Sequence, residues 1–311
     1  MKVIITGALG HIGSKLIRKL PKFFEGIELI LIDSLKTQRY ISLFNLPEDV
    51  NYKFFDIDIT IDDINDVFDQ ADYVVHLAAL TDAASSFNNP DEVENVNFTS
   101  TKRIAQLCCK QNAKLIHISS TSVYGTQDDL VDENCSENEL KPQSPYAATK
   151  LKEERYVKEL CNKNNLEACI FRFGTIFGVS PGIRFHTAVN KFCYQASLKK
   201  PITVWRTALD QKRPYLDIND AINSIAFVIE NNLFKGEIFN IVTSNFSVRE
   251  ITNEIQNIIP DLKIELVDSE IMNQLSYNVS SEKIKNHGFQ FKGSINRGIS
   301  DTLDLLSSIN N

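Results

Sequence analysis

Lys2-Val3-Ile4-Ile5-Thr6-Gly7-Ala8-Leu9-Gly10-His11-Ile12-Gly13 is a β-branched run that passes at once into three glycines spaced G-x-x-G-x-x-G. Glycines between a strand and a helix permit a tight turn and close backbone approach. The bare N–H groups at the helix start then attract a pyrophosphate. The helical pattern stops at Pro21, and a second apolar run, Ile27–Ile32, ends on Asp33, 20 residues after Gly13. A carboxylate at that place accepts hydrogen bonds from both ribose hydroxyls and repels a 2′-phosphate, which favours NAD over NADP. Arg39 keeps NADP open, and Asp33 alone would also serve as a turn residue after a strand.

Outward from this turn the same rhythm repeats. Strand-like runs fall at Asn51–Phe55, Tyr73–His76, Lys114–Ser119 and Glu167–Phe173, with helical patterns at Asp91–Lys110 and Pro145–Cys161. Strand alternating with helix predicts an α/β fold, a Rossmann-type doubly wound parallel sheet covered on both faces. After Phe173 glycine, proline and aromatics cluster up to Pro181. A helix over Phe185–Leu198, a strand over Glu237–Val242 and helices over Ser247–Ile259 and Ile295–Leu306 follow. The expected organisation is an NAD-binding Rossmann domain over residues 1–173 and a smaller mixed α/β C-terminal substrate domain over 174–311. Some later elements are expected to return to the first domain.

Composition narrows the partners. The chain has 311 residues, 43% of them hydrophobic, and a net charge of −7 from 33 basic and 40 acidic side chains. No long basic run exists to bind nucleic acid or an anionic membrane. Six cysteines show no C-x-x-C spacing and no histidine cluster nearby, so reduced thiols are expected and no metal site. No apolar stretch approaches the roughly 18 residues that span a bilayer. The sequence starts directly on a strand, without a signal-peptide pattern. A soluble cytoplasmic protein is expected.

Chemistry is carried by Ser144-Pro145-Tyr146-Ala147-Ala148-Thr149-Lys150. Proline suits the first turn of a helix, and residues four apart share a face. A fixed ammonium beside the phenol favours phenolate, so Tyr146 is expected to have a lowered pKa and to act as a general base. Taken alone, the pair reads more readily as a surface tyrosine and a solvated lysine that share a face. Upstream, the fifth predicted strand ends at Ser119 and Ser120 extends from its tip, where ligands of open parallel sheets bind. Asp56-Ile57 follows the third strand, within reach of an adenine. His76-Leu77-Ala78-Ala79 ends the fourth, its small alanines leaving room for the nicotinamide-side ribose.

Together the glycine turn, Asp33, Asp56-Ile57, His76-Leu77-Ala78-Ala79, Ser119-Ser120-x-x-Val123-Tyr124-Gly125 and Tyr146-x-x-x-Lys150 resemble the extended short-chain dehydrogenase/reductase family. The nearest resemblance is to its nucleotide-sugar epimerase and dehydratase branch, and it covers nearly the whole chain. Phe171-Arg172-Phe173-Gly174-Thr175-Ile176-Phe177-Gly178 and Arg213-Pro214-Tyr215-Leu216-Asp217-Ile218-Asn219-Asp220 are similar to later segments of that branch.

The resemblance implies NAD as cofactor and a nucleoside-diphosphate sugar as substrate. It implies Tyr146 as base, Lys150 on the nicotinamide ribose and Ser120 on the reacting hydroxyl, with Thr121 its alternative. Gly7, Gly10, His11, Ile12, Gly13, Leu77, Ala78, Ala79 and Phe173 fall to the cofactor. Thr81, Ser86, Thr175, Arg184 and Asn190 fall to the substrate, and Arg213 to its diphosphate. A homodimer through the helices at 91–110 and 145–161 is implied likewise. The branch's dehydratases carry Asp-Glu just after the catalytic hydroxyl; here Thr121-Ser122 stands there, which disfavours dehydration. The expected reaction is C4 epimerisation through a 4-keto sugar, with a net dehydrogenase or ketoreductase as alternative. A dinucleotide-binding regulator without turnover is a third possibility.

Overall fold

The computed structural model describes residues 1–127, 130–268 and 276–307. Five parallel strands come first: β1 (Lys2–Thr6), β2 (Glu28–Asp33), β3 (Asn51–Asp56), β4 (Tyr73–His76) and β5 (Lys114–Ser120). Among them lie α1 (His11–Lys19) and α2 (Pro90–Gln111). A two-residue strand, β6 (Leu130–Val131), then precedes α3 (Pro145–Asn164) and β7 (Ala168–Phe173). The second half contains β8 (Thr175–Phe177), α4 (Ala188–Ser197), β9 (Ile202–Trp205), β10 (Lys212–Asp217), α5 (Ile218–Glu230) and β11 (Lys235–Ile241). It ends with β12 (Ser244–Ser247), α6 (Val248–Ile258), β13 (Ile264–Val267), β14 (Asn278–Val279), α7 (Glu282–Asn286) and α8 (Ile295–Leu306).

Seven strands form one parallel sheet in the order β11-β7-β5-β4-β1-β2-β3. The order reverses between β1 and β4, which opens a crevice at their C-terminal tips. Successive side chains of a strand point to opposite faces, so a sheet covered twice needs apolar residues at every position. In β1, Val3 and Ile5 face α1 and α5 with Leu16, Ile17, Ile222 and Ile225. Ile4 faces the opposite layer, with Ile104 and Cys108 of α2 and Val157 of α3. Each such buried aliphatic side chain contributes about 1.5–3 kcal/mol.

The chain returns to the first sheet in its second half. β11 pairs with β7, Phe239 opposite Phe171, and α5 shares the apolar layer of α1. Among the other C-terminal elements, α4, β9, α6 and α8 surround a separate cluster that includes Phe177 and Tyr215. One helix starts later than its pattern predicts. Thr187 is extended (φ −91°, ψ 149°) and α4 begins at Ala188, so Arg184 lies in the preceding loop and not on a helix. That loop is strapped to the glycine turn: Gly182 N–H donates to Ser14 Oγ (2.9 Å) and Arg39 donates to Gly182 O (3.1 Å).

All six cysteines are unpaired. Among the described residues no helix is long and apolar enough to cross a membrane, and no group of three or more His, Cys, Asp or Glu could hold a metal ion.

Candidate active site

A cavity of about 650 Å³ follows the strand tips from the glycine turn to the C-terminal unit, within the size range of small-molecule sites. Its floor is backbone. Gly7 has φ +65°, and a Cβ there would lie 2.7 Å from Ala78 N. At Gly13 a Cβ would lie 2.4 Å from Gly7 O, so glycine is needed for the turn to fold against the start of α1. Thr6 Oγ1 is hydrogen-bonded to His76 Nδ1 (2.7 Å) and accepts from Ala78 N–H (3.3 Å), which fixes the chain entering Leu77-Ala78-Ala79. Burial brings His76 down to about 3, so it is neutral. His11 lines the cavity and is also neutral, lowered by burial to about 4; its Nε2–H donates to Gly178 O (2.9 Å).

Asp33 accepts from Leu9 N–H and Leu35 N–H, both at 3.1 Å, which holds its carboxylate on the cavity wall. The adenine end departs from the sequence reading. Asp56 is exposed and off the wall, whereas Ile57, Asp58, Ile59 and Thr60 line it. The reason is register: Asp56 is the last residue of β3, opposite Asp33, and Ile57 N–H donates back to Asp33 O (3.1 Å). The chain then crosses the strand tips two residues later than expected. Asp58 pairs with Lys36 at 2.7 Å. Partial burial raises its carboxyl, but the bonds from Lys36 and Thr60 outweigh this and bring it to about 2.

At the opposite end α3 begins where the sequence placed it. Ser144 Oγ caps the helix by accepting from Ala147 N–H (3.1 Å), and Pro145 opens its first turn. Tyr146, Lys150 and Ser120 share one cavity wall, and the Ser120 hydroxyl is hydrogen-bonded to the phenol. Ser120 Oγ also accepts from Ser122 N–H (3.2 Å) and Ser122 Oγ–H (2.9 Å). With its acceptor side used, Ser120 directs its own proton toward Tyr146 or a ligand oxygen.

The acidity of Tyr146 corrects the expectation. Burial is the largest influence and raises its pKa; Lys150 pulls it down, Glu153 pushes it up, and Ser120 pulls it down. The outcome lies above the ordinary tyrosine value, because the lysine was legible in the sequence and the desolvation was not.

Thr81, Thr121, Thr175, Arg184, Arg213 and Phe173 also line the cavity. Two expected substrate residues do not. Ser86 is fully buried: its hydroxyl donates to Ala83 O (2.7 Å) and accepts from Tyr146 N–H (3.3 Å), so it braces the start of α3. Asn190 is also fully buried, accepting from Gly178 N–H and donating to Arg184 O. It holds the Arg184 loop from behind. Arg184 donates to the Thr81 hydroxyl and is close enough to pull on the Tyr146 phenol. Sequence reasoning missed Tyr277, whose hydroxyl lies 3.3 Å from Thr121 Oγ1, and Trp205 on the far wall. The tryptophan's being the single one in the chain was a usable signal. Tyr277 carried none, since it lies far along the chain from the motifs that mark the site.

A family model described as "NAD dependent epimerase/dehydratase family" matches residues 3–242, most of the chain. The chain belongs to this NAD-dependent epimerase/dehydratase family. Its curated relatives include the trifunctional UDP-glucose 4,6-dehydratase/UDP-4-keto-6-deoxy-D-glucose 3,5-epimerase/UDP-4-keto-L-rhamnose-reductase RHM2 of Arabidopsis thaliana. That protein is 27% identical over 97% of this chain, which spans only 46% of the relative's length. The uncharacterized UDP-glucose epimerase YtcB of Bacillus subtilis is 28% identical, covering 83% of this chain and 82% of its own. Among solved structures, UDP-glucuronic acid 4-epimerase from Bacillus cereus, in complex with UDP-glucuronic acid and NAD, superposes with a TM-score of 0.86. It is 24% identical, over 99% of this chain and all of that one. These likenesses share the Rossmann fold of the epimerase/dehydratase family.

Proposed function

We propose that this chain is an NAD-dependent enzyme that inverts C4 of a nucleoside-diphosphate sugar through a 4-keto intermediate. The observation that carries this reading is the meeting of Tyr146, Lys150 and Ser120 on one wall of a cavity that begins at the glycine turn. The residues present fit NAD: a side chain at Gly7 or Gly13 would fill the cradle, and the carboxylate of Asp33 is held on its wall. Gly7, Gly10, His11, Ile12 and Gly13 would take the pyrophosphate, Asp33 a ribose, Ile57 and Asp58 the adenine side. Leu77, Ala78, Ala79, Phe173 and Lys150 would take the nicotinamide end. Bound there, NAD supplies the acceptor for the hydride of the sugar carbon and the positive charge of its oxidised ring.

Tyr146 would accept the proton of the sugar hydroxyl, with Ser120 donating to the same oxygen and holding it in line. Lys150, together with the positive charge of the oxidised ring, would pull down a phenol that burial holds above its ordinary value. Arg213 would meet the diphosphate, for which a guanidinium is suited. Once oxidised, the sugar must turn before Tyr146 gives its proton back. If the keto sugar leaves instead, the enzyme is a net dehydrogenase or ketoreductase.

Arg184 favours a more specific substrate. It donates to Thr81 and lies within electrostatic reach of both Tyr146 and Arg39, where an anionic sugar substituent would pair with it. UDP-glucuronic acid, bound by the Bacillus cereus epimerase, has such a carboxylate. The proposed setting is the cytoplasm, and the proposed assembly is a homodimer across α2 and α3.

The test is to incubate the protein and NAD with UDP-glucose, UDP-glucuronic acid and their dTDP counterparts and follow C4 stereochemistry by NMR. Inversion without net NADH is expected. Tyr146→Phe should lower the rate by about 10²–10⁴-fold. Net dehydration, or activity indifferent to that substitution, would refute the scheme. Tight NAD binding with no turnover of any sugar would instead indicate a regulator.

A further inference from the structure

We propose that Glu153 is a positioning residue of the reaction, a buried anion that fixes the Lys150 ammonium on the side away from the sugar. Glu153 lies three residues beyond Lys150, on the same face of α3. The two side chains are 0% and 6% exposed, and Glu153 Oε2 stands 2.8 Å from Lys150 Nζ. A carboxylate left alone in the interior is among the costliest groups to bury, so its place there needs a specific cation.

A second strand of the fold points at the same oxygen. β5 brings His117 Nε2 to 3.3 Å from Glu153 Oε2. Burial, with Lys150 and His76, pushes His117 well below the ordinary histidine value, so it is neutral. Burial raises the Glu153 carboxyl above its ordinary value and Lys150 pulls against it, so the charge of Glu153 is answered by Lys150. An ammonium has three N–H donors; with one committed to Glu153, two remain for the cavity side.

The groups facing this set come from every layer packed on it. α3 contributes Tyr146 and Glu154, β5 His117, β4 His76 and α2 the uncharged Thr101. Arg172 of β7 pairs with Glu154, and Arg184 and Tyr277 flank Tyr146 from the C-terminal unit. Burial pushes the Lys150 ammonium down, but Glu153, Tyr146 and Glu154 outweigh it, and the group ends above its ordinary value. Lysine therefore stays charged, while its field at Tyr146 is partly cancelled by the carboxylate behind it. Glu153 both anchors the cation and moderates it.

The inference rests on Tyr146 as the base, and its test is read without any sugar. Tyrosinate absorbance is titrated as the difference between a protein and its Tyr146→Phe counterpart, in the wild type, in Glu153→Gln and in Glu153→Asp. Removing the anion should lower the Tyr146 midpoint by on the order of one pH unit in Glu153→Gln. Glu153→Asp keeps the charge but withdraws it by about 1.5 Å, and should shift the midpoint less, in the same direction. In active protein the acid limb of kcat/KM should move with the titration. Circular dichroism identifies folded variants. If the glutamine variant does not fold, a lowered midpoint in the aspartate variant supports the proposal by itself. Midpoints equal to wild type in the folded variants overturn it, with Glu153 then a packing residue only. A protein that turned over no sugar nucleotide would still show the shift, so failure of the enzymatic reading and failure of this one are distinguishable.

Discussion

Glu154 and Arg172 form the pair most open to a quantitative test. Arg172 donates from Nε to Glu154 Oε1 (2.9 Å) and from Nη2 to Oε2 (2.7 Å). Ser119 Oγ donates to Oε1 at 2.5 Å. The two charged side chains are 3% and 2% exposed, and the guanidinium lies 4.8 Å from the centre of the Tyr124 ring. Glu154→Gln keeps the volume but leaves a buried cation without its anion, which costs about 3–5 kcal/mol. At about 2 °C per kcal/mol, suited to a chain of this length, Tm should fall by roughly 6–10 °C. The double replacement Glu154→Leu with Arg172→Met removes both charges and should recover most of that loss, since apolar pairs often replace buried ion pairs without penalty. Urea unfolding followed by circular dichroism, alongside calorimetry, measures the three values. A glutamine variant within about 1 kcal/mol of wild type would refute the assignment of a structurally essential pair. The pair also matters to the site, because Ser119 precedes Ser120 on β5 and Arg172 precedes Phe173 on β7. The folded fraction of Glu154→Gln should therefore turn over more slowly than wild type.

Stability should also fall on mild acidification. His11 and His76 have folded pKa values of about 4 and about 3, below the unfolded value near 6.5, so the unfolded chain binds more protons in between. Their contribution is present above about pH 6.5 and is lost as pH falls, at up to about 1.4 kcal/mol per unit per histidine; urea midpoints that stay flat from pH 6.5 to 5 would contradict this. Asp33→Ser should weaken NAD and admit NADP, lowering the NAD/NADP ratio of kcat/KM roughly 10- to 100-fold, the worth of a charge-assisted hydrogen bond. Arg184→Leu should cost an anionic sugar roughly tenfold or more in kcat/KM relative to a neutral one; equal losses for both would remove the anionic-substrate reading.

What could be read in advance was set by short-range geometry. Short apolar and β-branched runs located β1 to β5, and four-residue spacing placed Tyr146 beside Lys150 on a single helix. Chain path was less legible. Asp56 gave way to Asp58 because β3 runs to Asp56 before the chain crosses the strand tips. Ser86, in a short helical turn, and Asn190, in the first turn of α4, have the right chemistry for a ligand but point inward and brace Tyr146 and Arg184. Lys152-Glu153-Glu154-Arg155 looks in one dimension like a solvated charge run. In the fold, Glu153 and Glu154 face the interior, each against its own buried cation, while Lys152 and Arg155 remain outside.

The same distinction between residue type and surroundings bears on the choice of reaction. Loss of water from a sugar needs an acid and a base beyond the tyrosine that serves oxidation. Thr121 and Ser122 stand beside Ser120, and neither has a carboxyl group. Thr121 spends its hydroxyl on Phe173 O and Tyr277, both at 3.3 Å, and Ser122 donates to Ser120. Of the carboxylates on the cavity wall among the described residues, Asp33 and Asp58 lie on the cofactor side, Asp82 lies beside Arg184 and His186, and Glu92 is exposed in the first turn of α2. Oxidation and return to the opposite face ask less: one hydroxylic base, one serine donor, and space in which a keto sugar can turn. Those are the groups this cavity brings together, which is why inversion is preferred over dehydration even though relatives of this chain include dehydratases.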